Sequence, residues 1–266
     1  MPQESIIDTS KPNAGRIYDY LLGGSHNFDV DRRAADELVK LLPFLPKASR
    51  LQRWCLQDIA RELTEKRGFD VIIDFASGLP TNDHMHTIVP KGTTIIYSDR
   101  DPVVVEYAHE ILADTPNVYY FHADATRPEE LLERPEVQEI LKGRRHVAFV
   151  YWGVSLWLKD EEIAHAAQAI AEWSDPKSGF AFNAMGAVET PNDPQVQRVG
   201  QIYAQMGAAI HFRPLSKFRE LLAPWHPDTD FVSLLDWHNV DKSIMSDADQ
   251  SVWSTTSGMY GSYLVK

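Results

Sequence analysis

The sequence holds one cysteine, Cys55, in 266 residues. A single thiol excludes an intramolecular disulfide framework and suits a reducing compartment. With Trp54, Leu56 and Ile59 around it, Cys55 reads as a buried, inert thiol rather than a nucleophile. No run of eighteen apolar residues occurs, so no membrane association through a spanning helix is expected. The opening residues lack the basic-then-apolar layout of a secretory signal, and a cytoplasmic protein is expected. Basic residues are in deficit, 26 Lys and Arg against 38 Asp and Glu for a formal charge of −12. That balance argues against nucleic acid as a partner. There is no Gly-x-Gly-x-x-Gly loop, no His-Glu-x-x-His and no cysteine cluster, so no metal site is indicated. His84 and His86 are two residues apart and would point to different sides of a helix. Ser155 lacks the Gly-x-Ser-x-Gly turn of a hydrolase. A small-molecule ligand is what these exclusions leave, and the oligomeric state stays open.

What is present is an ordinary globular composition, 44% hydrophobic and 24% charged. Residues 1–69 show no convincing strand. They suggest a short helix over Gly15–Leu22, a break at Gly23-Gly24, and a helix over Asp31–Leu42. A proline-rich bend at Pro43 and Pro46 leads to a longer helix over Ser49–Arg67. In that helix Leu51, Trp54, Cys55, Ile59 and Leu63 make an apolar stripe, and Gly68 stands where a C-cap glycine belongs. From residue 70 strands are expected at Val71–Phe75, Thr93–Ser98, Val118–His122, Val147–Trp152 and Phe180–Ala184. Helices between them are expected at Asn82–Val89, Pro102–Ala113, Arg127–Leu141 and Lys159–Trp173. That alternation predicts an α/β fold with a Rossmann-like, mostly parallel sheet. Two later runs, Phe231–Trp237 and Tyr260–Val265, predict an antiparallel edge. The whole chain, 1–266, is expected to be one domain with a helical N-terminal cap.

Three carboxylates fall at three successive strand ends. Asp74 closes the first strand and opens the turn Phe75-Ala76-Ser77-Gly78-Leu79-Pro80, whose small residues let a ligand meet the backbone. Asp99, followed by Arg100, lies twenty-one residues beyond Gly78 and suits the two hydroxyls of a ribose. Asp101 before Pro102 reads as a helix N-cap. Asp124 suits an adenine amino group, with Ala125 leaving room for the ring; the competing reading is a cap formed with Thr126. Carboxylates would repel a pyrophosphate and suit a sulfonium, which favours S-adenosylmethionine over NAD.

The stretch Asp74–Asp124 resembles class I S-adenosylmethionine-dependent methyltransferases. The run Pro12-Asn13-Ala14-Gly15-Arg16-Ile17-Tyr18-Asp19-Tyr20-Leu21-Leu22-Gly23-Gly24, with Asn27-Phe28 and Asp31-Arg32, narrows the likeness. It resembles the N-terminal signature of a family of S-adenosyl methyltransferases long catalogued as a domain of unknown function, and the similarity runs to about residue 185. The resemblance implies cofactor-binding roles for Asp74, Gly78, Asp99 and Asp124, and a lid carrying Arg16, Tyr18, Gly23, Gly24 and Asn27. In that lid Arg16 would meet the methionine carboxylate and Tyr18 would cover the sulfonium. The product would be S-adenosylhomocysteine, and the acceptor a small molecule.

Methyl transfer needs chiefly positioning and desolvation, and a base only where the acceptor must lose a proton. Tyr151, Tyr18 and His26 are the positions open to a base, and none is assigned as catalytic. Trp152 and Trp157 read either as an aromatic wall for the acceptor or as core. Ala76 stands where the family usually has glycine. Tyr151–Trp157 and Asn183-Ala184 replace stretches that in relatives usually carry histidine. These departures motivate two other readings, a cofactor-binding sensor without transfer activity and a nucleotide-linked oxidoreductase.

Overall fold

The computed structural model describes residues 10–81, 83–205, 209–247, 249 and 259–266. Among these residues three helices precede the first strand: α1 (Ala14–Leu21), α2 (Asp29–Leu41) and α3 (Leu45–Arg61). Asn13 starts α1 by accepting the N–H groups of Gly15 and Arg16 at its Oδ1, 2.7 and 3.2 Å away. α3 begins four residues earlier than expected because Pro46 is accommodated in its first turn, where no N–H is needed. It continues through a wider turn at Glu62–Lys66 and stops at Gly68, whose φ of +74° is one that a residue with a Cβ adopts only under strain.

The eight strands of the described residues form one sheet in the order β3-β2-β1-β4-β5-β8-β6, with β7 also pairing β8. They are β1 (Val71–Phe75), β2 (Thr94–Asp99), β3 (Val118–His122), β4 (Ala148–Tyr151), β5 (Gly179–Met185), β6 (His226–Pro227), β7 (Val232–Ser233) and β8 (Met259–Val265). The first five run parallel, and β8 turns back antiparallel to β5. This is the mixed Rossmann-like sheet with an antiparallel edge that the alternation of elements predicts. The crossovers carry α4 (Pro102–Leu112), α5 (Pro128–Leu132), α6 (Pro135–Leu141) and α7 (Asp160–Trp173). α8 (Pro194–Gln205) and α9 (Leu215–Leu221) follow β5, and α10 (Leu234–Trp237) follows β7.

Both faces of the sheet are covered, which is why β1 is apolar without alternation. Val71, Ile73 and Phe75 face the α5–α7 side, and Ile72 faces α3 and α4. By the two-residue period of a strand, Asp74 emerges on the α3 side with Ile72, and Asp99 with Ile95 and Tyr97. The strand order reverses between β1 and β4, so a crevice opens there at the carboxyl ends of the strands.

Four expectations differ from the structure. Of the helix expected over Asn82–Val89 only a 3₁₀ turn at Met85–Thr87 forms; Asn82 lies outside the described residues. The helix over Arg127–Leu141 is two helices, because Pro135 cannot donate to the preceding turn and disfavours helical backbone at Arg134. The run Phe231–Trp237 gives two strand residues and then turns helical, as Ser233 Oγ accepts the Asp236 N–H at 3.2 Å. Trp54 does not join the apolar stripe: it is 47% exposed and stacks on His238. Among the described residues no helix is long and apolar enough to cross a membrane.

Candidate functional site

The turn after β1 is strapped to the end of β2. The Ser77 N–H donates to the Ser98 carbonyl (2.8 Å), while Ser77 Oγ donates to the Asp74 carbonyl (2.8 Å) and accepts the Ser98 N–H (3.2 Å). Ala76 (φ +55°) and Gly78 (φ +64°) are both left-handed, so the alanine adopts the conformation that glycine would take with less strain. No atom lies within 4 Å of where a Cβ on Gly78 would stand, leaving its backbone open to a ligand. Asp99 organises the same corner. Its Oδ2 accepts the Gly78 N–H (3.1 Å) and its Oδ1 the Asp101 N–H (2.9 Å). Burial pushes its carboxyl above the usual range, against the pull of those two amides. Arg100 is exposed at the rim.

After β3, Asp124 Oδ1 accepts the N–H and hydroxyl of Thr126, 2.8 and 2.9 Å away, so the turn-capping reading holds for that oxygen. Ala125 is fixed from below, since the Tyr151 hydroxyl donates to its carbonyl at 2.6 Å. Tyr151 is sealed in the core among Phe75 and Phe180. Burial pushes its phenol well above the ordinary value, with Glu129 and Asp124 adding to the rise. Tyr151 therefore supports the turn after β3 through the Ala125 carbonyl, and its hydroxyl is already engaged. Trp152 is likewise structural: its Nε1 donates to the Gln52 carbonyl (3.0 Å) and its ring packs on Trp237. Trp157 is partly exposed and meets Tyr203 edge-on.

The N-terminal signature is folded largely on itself. Buried Asp31 accepts the N–H groups of Asn13 and Phe28 (both 2.9 Å) and pairs with Arg16 Nε (2.8 Å). Arg16 also reaches Asp101 Oδ2 (3.1 Å) and the Lys11 carbonyl (2.9 Å), which occupies each nitrogen of its guanidinium. Asp19 accepts the His26 N–H and the Asn27 amide at 2.8 Å each. A Cβ on Gly24 would lie 2.1 Å from Asp19 Oδ1, so the glycine is needed for that closure. Gly23, at φ +86°, makes the turn into the loop. His26 rests edge-on against Tyr107 of α4. Arg16, Gly23, Gly24 and Asn27 thus shape the N-terminal segment, and Arg16 ties it to the β2 corner. The Tyr18 hydroxyl donates to the Ser49 carbonyl (3.0 Å), and its ring lies 5.6 Å from the Arg53 guanidinium. Burial pushes that phenol up.

Arg53 is the residue that sequence reasoning missed. Ser49, Gln52 and Arg53 occupy the buried stripe of α3 where it passes the strand ends, while Leu56, Ile59, Ala60 and Leu63 continue the stripe over the sheet. The signal was an arginine at a position that helical spacing assigns to the interior. Arg53 is only 3% exposed; its Nε and Nη1 have no hydrogen-bond partner, and its Nη2 reaches the Leu79 carbonyl at a long 3.4 Å. Asp74, which lies within the electrostatic reach of Arg53, also has a buried Oδ2 without a donor. Burial pushes the Asp74 carboxyl up to about 8. Its neighbour His84 accepts the Met85 N–H at Nδ1 (2.9 Å), so Nε2 carries the proton, 3.3 Å from the Ser77 carbonyl and 4.0 Å from Asp74 Oδ2. Burial holds that imidazole neutral.

At the ends of β4 and β5, Asn183 Oδ1 accepts from Gly153 N–H and Gln52 Nε2, both at 3.2 Å, and its Nδ2 donates to the Tyr260 carbonyl (2.8 Å). Ser155 Oγ donates to the Asn183 carbonyl (2.7 Å) and accepts the Met185 N–H (2.9 Å). The two departures from the family pattern at Ser155 and Asn183 thus lie in one buried network. Among the described residues no group of three His, Cys, Asp or Glu side chains is placed to hold a metal.

Residues 1–259 match the family described as S-adenosyl methyltransferase. A solved candidate methyltransferase from Thermobifida fusca YX is 27% identical, with 98% of this chain and 97% of that one covered at a TM-score of 0.84. A DUF574 family protein from Streptomyces avermitilis MA-4680 is 25% identical over 98% of this chain and 99% of its own, with a TM-score of 0.83. The magnesium protoporphyrin IX methyltransferase of Synechocystis PCC 6803 with bound S-adenosylhomocysteine shares the fold alone. It is 11% identical over 94% of this chain and 92% of that one, at a TM-score of 0.54. The small-residue turn, the buried Asp99 corner and the self-bonded N-terminal segment therefore sit in a chain that belongs to the S-adenosyl methyltransferase family.

Proposed function

We propose that this protein, acting as one domain in the cytoplasm, transfers a methyl group from S-adenosylmethionine to a small-molecule acceptor and releases S-adenosylhomocysteine. The observation that carries the reading is the corner built by Gly78 and Asp99. A backbone with open space beside it stands next to a carboxylate at the reversal point of the sheet. When bound, S-adenosylmethionine supplies an electrophilic sulfonium methyl. Asp99 holds the ribose hydroxyls with the lone pairs that Gly78 and Asp101 leave free. Asp124 Oδ2 and the Ala125 backbone border the adenine. Tyr18 shields the site from water above the strand ends. The small-molecule acceptor accords with the porphyrin substrate of the Synechocystis relative.

Calorimetric titration with S-adenosylhomocysteine, with NAD as control, tests the cofactor. Saturable binding of the former alone supports the proposal, and binding of NAD alone would return the chain to the oxidoreductase reading. One observation favours a second reading, a cofactor-binding sensor: the Tyr18 and Tyr151 phenols are both engaged with carbonyls and raised by burial. Transfer of labelled methyl to any acceptor in a cell extract would eliminate it.

A further inference from the structure

We infer that Tyr120 is a positioning residue for the cofactor: through the Gly78 carbonyl it sets the next peptide so that the Leu79 N–H, and not a carbonyl, faces the crevice. This role rests on the S-adenosyl reading and deepens it. Gly78 is gripped on both sides of its Cα by side chains from two other strands. Asp99 of β2 accepts its N–H at 3.1 Å, and the Tyr120 hydroxyl of β3 donates to its carbonyl at 2.7 Å. Tyr120 stands opposite Tyr97 in the β2–β3 register, on the face of the sheet from which Asp99 also emerges. Since β3 lies two strands from β1, the side chain must span roughly 9–10 Å across β2 to reach the turn. A short residue there could not do so.

Packing alone does not call for that hydroxyl. Tyr120 is buried in the apolar cluster between the sheet, α3 and α4, where a phenylalanine would fill the space without desolvating an O–H. Burial holds its phenol well above the ordinary value, with Asp99 and Asp74 adding to the rise, so Tyr120 stays a donor. Gly78 is where such a bond has most effect. With φ at +64° and no atom within 4 Å of a Cβ position, sterics leave the peptide after it free to turn over. Its neighbours are drawn the same way, the Ser77 carbonyl to His84 Nε2 at 3.3 Å and the Leu79 carbonyl to Arg53 Nη2 at 3.4 Å. Three successive carbonyls of the turn are thus taken up by protein donors. A trans peptide directs its C=O and N–H oppositely. Holding the Gly78 carbonyl toward β3 therefore directs the Leu79 N–H away from β3, toward the reversal between β1 and β4. An oxygen-rich nucleoside ligand meets a donor there, whereas a flipped peptide would meet it with a carbonyl oxygen and repel it.

The test pairs Tyr120→Phe, which keeps the ring, with Ser178→Ala as a control at the opposite end of the sheet. There Ser178 Oγ donates to the Arg145 carbonyl (2.8 Å) and accepts the Val147 N–H (3.2 Å). Gly78-Leu79 is the single Gly-Leu pair in the sequence. Glycine labelled at the carbonyl carbon and leucine labelled at the amide nitrogen therefore give one carbonyl-correlated NMR signal, that of the Leu79 amide. Both variants should unfold at a lower temperature than the wild type. Ser178→Ala should keep the wild-type signal and the wild-type affinity for S-adenosylhomocysteine. Tyr120→Phe should shift the signal in the ligand-free protein and weaken S-adenosylhomocysteine binding about five- to tenfold, the scale of one hydrogen bond. An unmoved signal or an unchanged affinity in Tyr120→Phe overturns the assignment of Tyr120 and leaves the S-adenosyl reading standing. A wild type without affinity for S-adenosylhomocysteine overturns that reading, and the signal in Tyr120→Phe still decides whether Tyr120 sets the turn. Should Tyr120→Phe fail to fold, the wild-type Leu79 amide decides: its hydrogen exchange should slow when S-adenosylhomocysteine binds, and unaltered exchange would refute the assignment.

Discussion

Arg16 and Asp101 meet across 85 residues of chain, Nη1 to Oδ2 at 3.1 Å, and this pair joins the N-terminal helices to the β2 corner. The same Asp101 caps α4 through its other oxygen, accepting the Val103 N–H at 2.9 Å. One residue therefore registers the N-terminal helices, the helix after β2 and, through its backbone N–H, Asp99.

The first prediction concerns that junction. Arg16→Met leaves Asp31, fully buried, with its two backbone donors but no counter-charge. Removing one partner of a buried pair should lower stability by about 3 kcal/mol, read from urea unfolding. Arg16→Lys should recover little, because an ammonium cannot bridge Asp31 and Asp101 as a fork does. A loss under about 1 kcal/mol, the scale of an exposed pair, would show that the lid is held by apolar packing instead.

Asp99→Ala should weaken S-adenosylhomocysteine binding at least about tenfold, since hydrogen bonds to a charged group contribute roughly 1.5–3 kcal/mol. Part of that loss would be indirect, as the Gly78 and Asp101 amides lose their acceptor. Asp99→Asn retains one acceptor oxygen and should fall between. Unchanged affinity in the alanine variant would mean the ribose lies elsewhere.

Much of this architecture is legible from local chemistry. Val71–Phe75 is a strand with the bounds expected because a fully buried β-branched run has few other options. Asp101 caps α4 as read, because the Asp-Pro pair acts on its own neighbours. The misses are non-local or depend on competition. Arg16 is conspicuous in sequence, but its partners Asp31 and Asp101 are supplied by the fold. Apolar spacing along α3 takes in Trp54 and passes over Arg53, whose burial makes sense only with the strand ends beneath it. At Ser233 a helix cap overrode the strand propensity of the following residues.

Ala76 offers a test of strain. Left-handed backbone costs an L-residue about 1–2 kcal/mol, and glycine's greater unfolded-state freedom returns roughly half of that. Ala76→Gly should therefore raise stability by about 0.5 kcal/mol in thermal unfolding, with the fold unchanged. A clear loss of stability would show that the Ala76 methyl makes a packing contact worth more than the strain.

Tyr151→Phe separates support from catalysis. The ring packing persists, but the Ala125 carbonyl loses its donor, at a cost of about 1–3 kcal/mol for an unsatisfied buried group. Stability and S-adenosylhomocysteine affinity should both fall modestly. The pH profile of methyl transfer should keep its shape; loss of a limb from it would reinstate Tyr151 as a base.

Asp74 should make cofactor binding depend on pH, and the sign follows from its surroundings. Its carboxyl is held at about 8 by burial, against the pull of Ser77 and of Arg53 from α3, with Asp99 of β2 adding to the rise and neutral His84 alongside. Above the ordinary carboxylate range and below about 8, the folded empty protein therefore carries a proton that the unfolded chain has released, so stability of the empty form should decline as pH rises through that window. An α-ammonium favours the ionised carboxylate. Binding of S-adenosylhomocysteine near neutrality should then expel close to one proton, and affinity should climb with pH and level off above about 8. Titrations in two buffers of different ionisation enthalpy measure the proton count directly. Asp74→Asn should bind more weakly and abolish the buffer dependence, because its amide has no proton to give up. Affinity that is flat across the window in the wild type would mean that the ammonium does not meet Asp74.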